Sequence, residues 1–305
     1  MKISISESSL WRTYFPEKEY YPHIRQCGFE YIDYDYYDFI GDDTSEYLGE
    51  HGLDHAKEMR DYLDSLGITP LQAHAPKGEP TQDREGILRR TKRTIECCKI
   101  MGVKNLVYHT GAVPGMSRKE YMDFNVAYVR ELLPLLEKNE ICLCTENIGR
   151  WDEPYIARTA SELLEMIEMV DHPLYQACLD TGHMSLEDGN MYETIVALGS
   201  HLRCLHVQDN YGSLSIPAVN GAWRQDLHLP PLMGKVNFDE IMLALKRIGY
   251  TGTFNMEPEA PRTRGLNQKY SKPLLRVIPL ELCMEYYTWV HDVAEYILNA
   301  YDMNG

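Results

Sequence analysis

Six separate stretches of the chain end an apolar run on an acid or an imidazole. His74 closes "TPLQAH", His109 closes "NLVYH" and Glu146 closes "ICLCTE". Asp180 and His183 end "YQACLDTGH", His206 and Asp209 end "LRCLHVQD", and Glu257 with Glu259 ends "GTFNMEPE". Asp226 and His228 follow in "DLHLPP". Carboxylates mixed with a neutral imidazole make an O/N ligand set suited to a borderline divalent cation. Mn²⁺, Zn²⁺ or Co²⁺ would answer to that description, and Mg²⁺ stays as a further alternative. Without a cation, converging carboxylates repel and raise each other's pKa. With one, a bound carbonyl is polarised and the adjacent C–H becomes acidic.

Taken singly, each of these residues has an ordinary reading. A strand-end His is more often hydrogen-bonded than ligating, Asp180 can cap the turn that follows it, and Glu257 and Glu259 can be solvated loop acids. The set is harder to dismiss, because separated segments would each have to deliver a polar end to one rim. Five of the eleven histidines fall there: His74, His109, His183, His206 and His228.

Eight strands can be placed to carry these ends: "KISISES", "FEYIDYD", "TPLQAHA", "NLVYHTG", "EICLCTENI", "YQACLDTG", "LRCLHVQD" and "GTFNMEPE". Helical periodicity lies between them, at Arg84–Met101, Ser117–Lys138, Ala160–Val170 and Phe238–Ile248. Gly28, Gly67, Gly102 and Gly249 suit the left-handed residue past a helix end, and Asn139 can take the same conformation. These breaks recur at roughly 35 to 40 residues, the length of one βα unit with its loop. Alternating β and α with right-handed crossovers predicts an α/β fold, a (β/α)8 TIM barrel, as a single domain spanning residues 1–305. A doubly wound open sheet is the rival. In a barrel every strand presents its C-terminal end to one face, where active sites lie. Pro273 to Tyr301 reads as the last helix, with aromatic surface enough for a possible homo-oligomer.

The bulk numbers limit the partners. Hydrophobic residues make up 44% of the 305 and charged residues 25%, which is the balance of a globular protein with a core to bury. A net charge of −16 gives no basic footprint, so neither nucleic acid nor an anionic membrane is expected as a partner. The opening "MKISISE" already reads as a strand, so no signal peptide is expected, and no run reaches transmembrane length. Several of the eight cysteines sit inside apolar strands, as in "ICLCTEN" and "LRCLHVQ", and read as small hydrophobes of a reducing, cytoplasmic protein. Cys142 and Cys144 are expected on opposite faces of their strand, a poor start for a thiolate site.

"TENIGRWD", "LDTGHM", "LHVQDN", "DLHLPPLMGKVNFDEI" and "YTGTFNMEPE" together resemble the xylose isomerase-like sugar isomerases and epimerases. The resemblance runs over nearly the whole chain. It implies one divalent metal held by Glu146, Asp180, His206 and Glu257. The two glutamates, Glu146 and Glu257, would move a substrate proton as acid and base through a metal-stabilised enediolate of a sugar or keto-polyol. The ketose 3-epimerase branch is the nearest in look, and there residues matching His183 and Asp152 hydrogen-bond the sugar. Asp152 stands where that branch carries Glu, and Gly212 where it places a substrate-binding Arg. Inosose dehydratases and hydroxypyruvate isomerases therefore stay open. His74, His109, Asp226 and His228 complete the candidate substrate-binding rim.

The chain is also similar to the endonuclease IV type of apurinic endonuclease, a barrel with a trinuclear zinc site. A residue of matching type is present for each of its nine ligands: His74, His109, Glu146, Asp180, His183, His206, Asp226, His228 and Glu257. Loops such as "YDFIGDDTSEYLGE" lack the Arg and Lys that grip phosphates, which favours the sugar reading.

Overall fold

The computed structural model describes residues 1–7, 15, 18–78, 80–112, 115–149, 157–187, 189–212, 226–259 and 279–304. Strands and helices alternate throughout. The strands are β1 (Lys2–Ser6), β2 (Tyr31–Asp35), β3 (Thr69–His74), β4 (Asn105–Tyr108), β5 (Cys142–Glu146), β6 (Tyr175–Asp180), β7 (Leu202–His206) and β8 (Thr253–Met256). The principal helices are α1 (Tyr21–Gln26), α2 (Gly52–Ser65), α3 (Arg84–Met101), α4 (Arg118–Asn139), α5 (Ala160–Val170), α6 (Met191–Leu198), α7 (Phe238–Ile248) and α8 (Leu280–Ala300).

All ladders are parallel and run in chain order from β1 to β7, with β8 beside β1. The circle closes through a bridge between Val207 and Met256. Val207 N–H donates to the Asn255 carbonyl at 2.7 Å, and Glu257 N–H donates to the Val207 carbonyl at 3.0 Å. This closure matters for the site, because it sets Glu257 beside His206. The expected barrel is thus the observed one. Among the described residues, no helix is long and apolar enough to cross a membrane.

Local chemistry explains where the helices begin and end. Ser117 and Glu120 form a reciprocal capping box at the start of α4, as Thr159 and Glu162 do for α5. Asn237 accepts the Glu240 N–H at the start of α7, whose Phe238, Ile241, Met242 and Leu245 form one buried face. Gly102 and Gly249 take the left-handed conformation at φ 77° and 67°. Asn139 does not: it remains the last residue of α4, and Glu140 turns left-handed instead at φ 59°.

The barrel interior is divided. On β4 to β7 it is filled by Val107 and four thiols, Cys142, Cys144, Cys178 and Cys204. Cys142 and Cys144 share a face, with their sulfurs 3.8 Å apart, so the expectation of opposite faces is corrected. Side chains alternate along a strand, and residues two apart therefore point the same way. Cys144 also lies 3.7 Å from Cys204, sulfur to sulfur. On β8 and β1 to β3 the interior is polar, with Ser4, Asp33, Gln72 and Asn255 all buried.

Candidate metal centre

Glu146, Asp180 and His206 are the last residues of β5, β6 and β7, and Glu257 follows β8 directly. Each lies two positions beyond an interior residue, Cys144, Cys178, Cys204 and Asn255 in turn, so strand alternation aims all four at the barrel axis. One ligand atom from each of the four lies within 4.8 Å of the others. Glu146, Asp180 and His206 are at most 1% exposed, while the Glu257 side chain is 20% exposed and faces the barrel mouth.

His206 Nδ1 stands 3.2 Å from Glu146 Oε1 and 3.2 Å from Glu257 Oε2. Yet Nδ1 and Glu257 Oε2 are buried without a hydrogen-bond partner. Buried polar atoms in native proteins are nearly always satisfied. Two such atoms facing each other across a cluster of carboxylates are what a cation site requires, so the residues present fit a divalent ion. Asp180 serves twice. Its Oδ1 accepts the His183 N–H at 2.7 Å, capping the short helix Thr181–Leu186. Its Oδ2 turns towards the site and accepts from Gln208 Nε2 at 3.2 Å.

The electrostatics follow from this crowding. Burial pushes the Glu146 carboxyl up, but the imidazoles of His206 and His109 outweigh it and hold Glu146 well below the usual range. Burial pushes Glu257 up to about 8, and His206 and His228 offset this only in part. His206 is desolvated, yet Glu257 and Glu146 beside it raise its pKa well above the ordinary imidazole value.

Two further groups flank the four. His109 Nε2 lies 3.0 Å and His74 Nε2 3.5 Å from Glu146 Oε2. The Tyr37 ring meets the imidazoles of His74 and His109, at centroid distances of 5.1 and 6.0 Å respectively. On the other side, His183 Nε2 and His228 Nε2 approach Asp226 Oδ2 at 3.2 and 2.8 Å. The Nδ1 atoms of these two rings are paired with the backbone carbonyls of Asn147 and Glu257, at 2.9 and 3.1 Å.

Nine of the ten residues that the sequence suggests as ligands or substrate contacts therefore converge on one mouth. The tenth, Asp152, lies outside the described residues. Asp209 and Glu259 do other work. Asp209 accepts the backbone N–H groups of Asn210, Gly234 and Val236 at 2.7–2.9 Å and so folds the loop after β7. Glu259 N–H donates to the His228 carbonyl at 2.9 Å. Sequence reasoning missed the groups that hold the ligands: Asp33, Asn147, Gln208 and Asn210. One signal was available for Asp33, since an acid in the middle of the strand "YIDYD" must face either the core or the barrel interior.

A model of the xylose isomerase-like TIM barrel family matches residues 22–277. The D-psicose 3-epimerase of Ruminiclostridium cellulolyticum is 29% identical over 143 residues, 47% of this chain and 43% of that enzyme. A crystal structure of a D-psicose 3-epimerase in the presence of D-fructose superposes with a TM-score of 0.75 at 19% identity, covering 98% of this chain and 99% of the other. A structure of the IOLI protein with a bound zinc atom gives 0.73 at 21% identity, with 99% of both chains covered. The family model spans most of the chain, and the fold agrees with it: the chain belongs to the xylose isomerase-like TIM barrel family.

Proposed function

We propose that the chain is a divalent-metal-dependent sugar isomerase or epimerase that works by proton transfer next to a carbonyl. The observation that carries this reading is the convergence of Glu146, Asp180, His206 and Glu257, with His206 Nδ1 and Glu257 Oε2 left without hydrogen-bond partners. A cation held there, Mn²⁺ foremost, supplies Lewis-acid polarisation of the substrate carbonyl. Glu146 and Glu257 are the proton-moving groups. One takes the proton from the carbon beside the carbonyl, and the other returns it. Return to the same carbon is epimerisation, return to its neighbour is isomerisation, and loss of a β-hydroxyl instead is dehydration. His183 and His228, both anchored on Asp226, orient substrate hydroxyls, with Asp152 proposed for the same task, and His74 and His109 complete the wall beside Tyr37. Eight free, buried cysteines support a reducing, cytoplasmic setting. On α8, Leu282, Trp289 and Tyr296 stand exposed at heptad spacing, which supports self-association.

The test is a panel of free and phosphorylated ketoses and inososes in D₂O with Mn²⁺ present. Deuterium should enter at one carbon of an accepted ketose, and entry should vanish in Glu146→Gln and Glu257→Gln. Full exchange in both variants would overturn the scheme.

A second reading is favoured by the flanking ligand groups, His74–His109–Glu146 and His183–Asp226–His228. With three cations the same mouth suits phosphodiester hydrolysis, as in the endonuclease IV type. Metal analysis separates the two readings: one ion per chain supports the sugar enzyme, while three zinc ions with cleavage of an abasic-site duplex support the nuclease.

A further inference from the structure

We infer that Asp33, on β2, is a positioning residue for the metal centre: it takes the Nε2 hydrogen of His206 and so commits the ring to offer its Nδ1 lone pair to the cation. This rests on the metal-site reading above and names a residue that the ligand pattern does not contain.

Asp33 is 2% exposed and reaches across the barrel interior from β2 to β7. Its Oδ2 lies 3.0 Å from His206 Nε2. The same oxygen accepts from Gln72 Nε2 at 2.7 Å and from Asn255 Nδ2 at 3.3 Å. Neither amide is free to turn over. Gln72 Oε1 accepts from Thr253 Oγ1 at 2.6 Å, and Asn255 Oδ1 accepts from Ser4 Oγ at 2.7 Å. Turning either one would face an amide oxygen to the carboxylate. Oδ2 is therefore held from β3 and β8, with β1 behind Asn255, while Oδ1 has no hydrogen-bond partner; the held oxygen fixes the imidazole in turn.

A neutral imidazole carries one N–H, and whichever nitrogen is hydrogen-bonded to an acceptor leaves the other as the ligand. Here Nε2 faces an acceptor-only group, and Nδ1 points between Glu146 and Glu257 with no hydrogen bond of its own. A carboxylate behind a ligating histidine also raises its basicity, and loss of such partners lowers metal affinity by about 10–100-fold. The alternative is that Asp33 serves only to satisfy buried amides in the polar half of the barrel.

The experiment measures Mn²⁺ and Zn²⁺ dissociation constants by chelator competition for the full chain, Asp33→Asn and Gln72→Leu, with melting temperatures of the metal-free proteins alongside. Asp33→Asn is expected to weaken both metals by about 10–100-fold. Saturating metal should restore most of kcat, because the ligands themselves remain. Gln72→Leu, which loosens Asp33 without touching His206, should weaken both metals to a smaller degree. Metal affinity unchanged in Asp33→Asn, with only the melting temperature lowered, would overturn the inference. If Asp33→Asn does not fold, unchanged affinity in Gln72→Leu does the same. Failure of the unsubstituted chain to bind either ion would instead sink the metal-site reading itself, and this inference with it.

Discussion

Glu146, at the end of β5, and Glu257, just past β8, each bring a carboxylate oxygen to 3.2 Å from the same nitrogen of His206. In the metal-free site their protonation diverges: Glu146 is held ionised, while burial pushes Glu257 up to about 8. A cation using Glu257 must displace that proton. Below about pH 8 the affinity for Mn²⁺ should therefore fall by about tenfold per pH unit. His206, raised well above its ordinary pKa, steepens the fall in the same direction. Calorimetric titrations in two buffers of different ionisation enthalpy would count the protons released. An affinity that stays flat across that range would contradict the raised pKa of Glu257.

The same shift has a consequence for stability. A carboxyl whose folded pKa lies above its unfolded value stabilises the fold below the ordinary glutamate range, and loses that contribution as pH rises through about 8. The metal-free protein should accordingly lose stability on that rise, and Glu257→Gln should flatten the profile. Urea denaturation across the pH range, with and without metal, reads the effect directly.

Glu146 touches more of the site than Glu257 does, since His74, His109, His183 and His206 all approach its carboxylate. If it moves the substrate proton, Glu146→Gln should lower kcat by about 10²–10⁴. It should also weaken metal binding, because an amide is a poorer ligand than a carboxylate. Activity at saturating metal separates the two losses, and a kcat near the unsubstituted value there would remove Glu146 from the proton-transfer step.

Much of this arrangement was legible in the sequence. Parallel barrels put ligands at strand ends, and an acid or imidazole ending an apolar run is conspicuous. Glu146, Asp180, His206 and Glu257 announced themselves in that way. Their supports did not, because Asn147, Gln208 and Asn210 read like any loop amide until the fold brings them to Asp180 and Asp226. Asp33 was hidden by its place in the middle of a strand, where an acid looks like an error of the pattern until the polar half of the interior is seen. The α4 end shows another limit. Asn139 and Glu140 compete for one left-handed position, and the helix keeps Asn139 and leaves the turn to Glu140.

Asp226 receives His183 and His228 on one oxygen and Gln208 with Asn210 on the other, a complete set of donors for a buried carboxylate. Under the one-metal reading, Asp226→Asn should leave one ion per chain and raise KM for the sugar, because both rings lose their shared anchor. Under the three-metal reading the metal count itself should fall. Metal analysis of the purified variant decides between them.

The thiol half of the interior makes a separate prediction about stability. Cys204 is fully buried, with Cys144 3.7 Å away, and burial pushes its thiol pKa well above the ordinary value. Its sulfur packs as a small polarisable hydrophobe and asks little of hydrogen bonding. A hydroxyl in the same place has no strong acceptor among the neighbouring sulfurs and is cut off from water. Cys204→Ser should therefore cost about 1–3 kcal/mol, although the two side chains have nearly the same shape. Cys204→Ala leaves only a small void and should cost less than the serine. If serine proved the milder replacement in urea denaturation, the interior would have to be wetter than this packing implies, and the dry floor beneath Glu146 and His206 would have to be reconsidered.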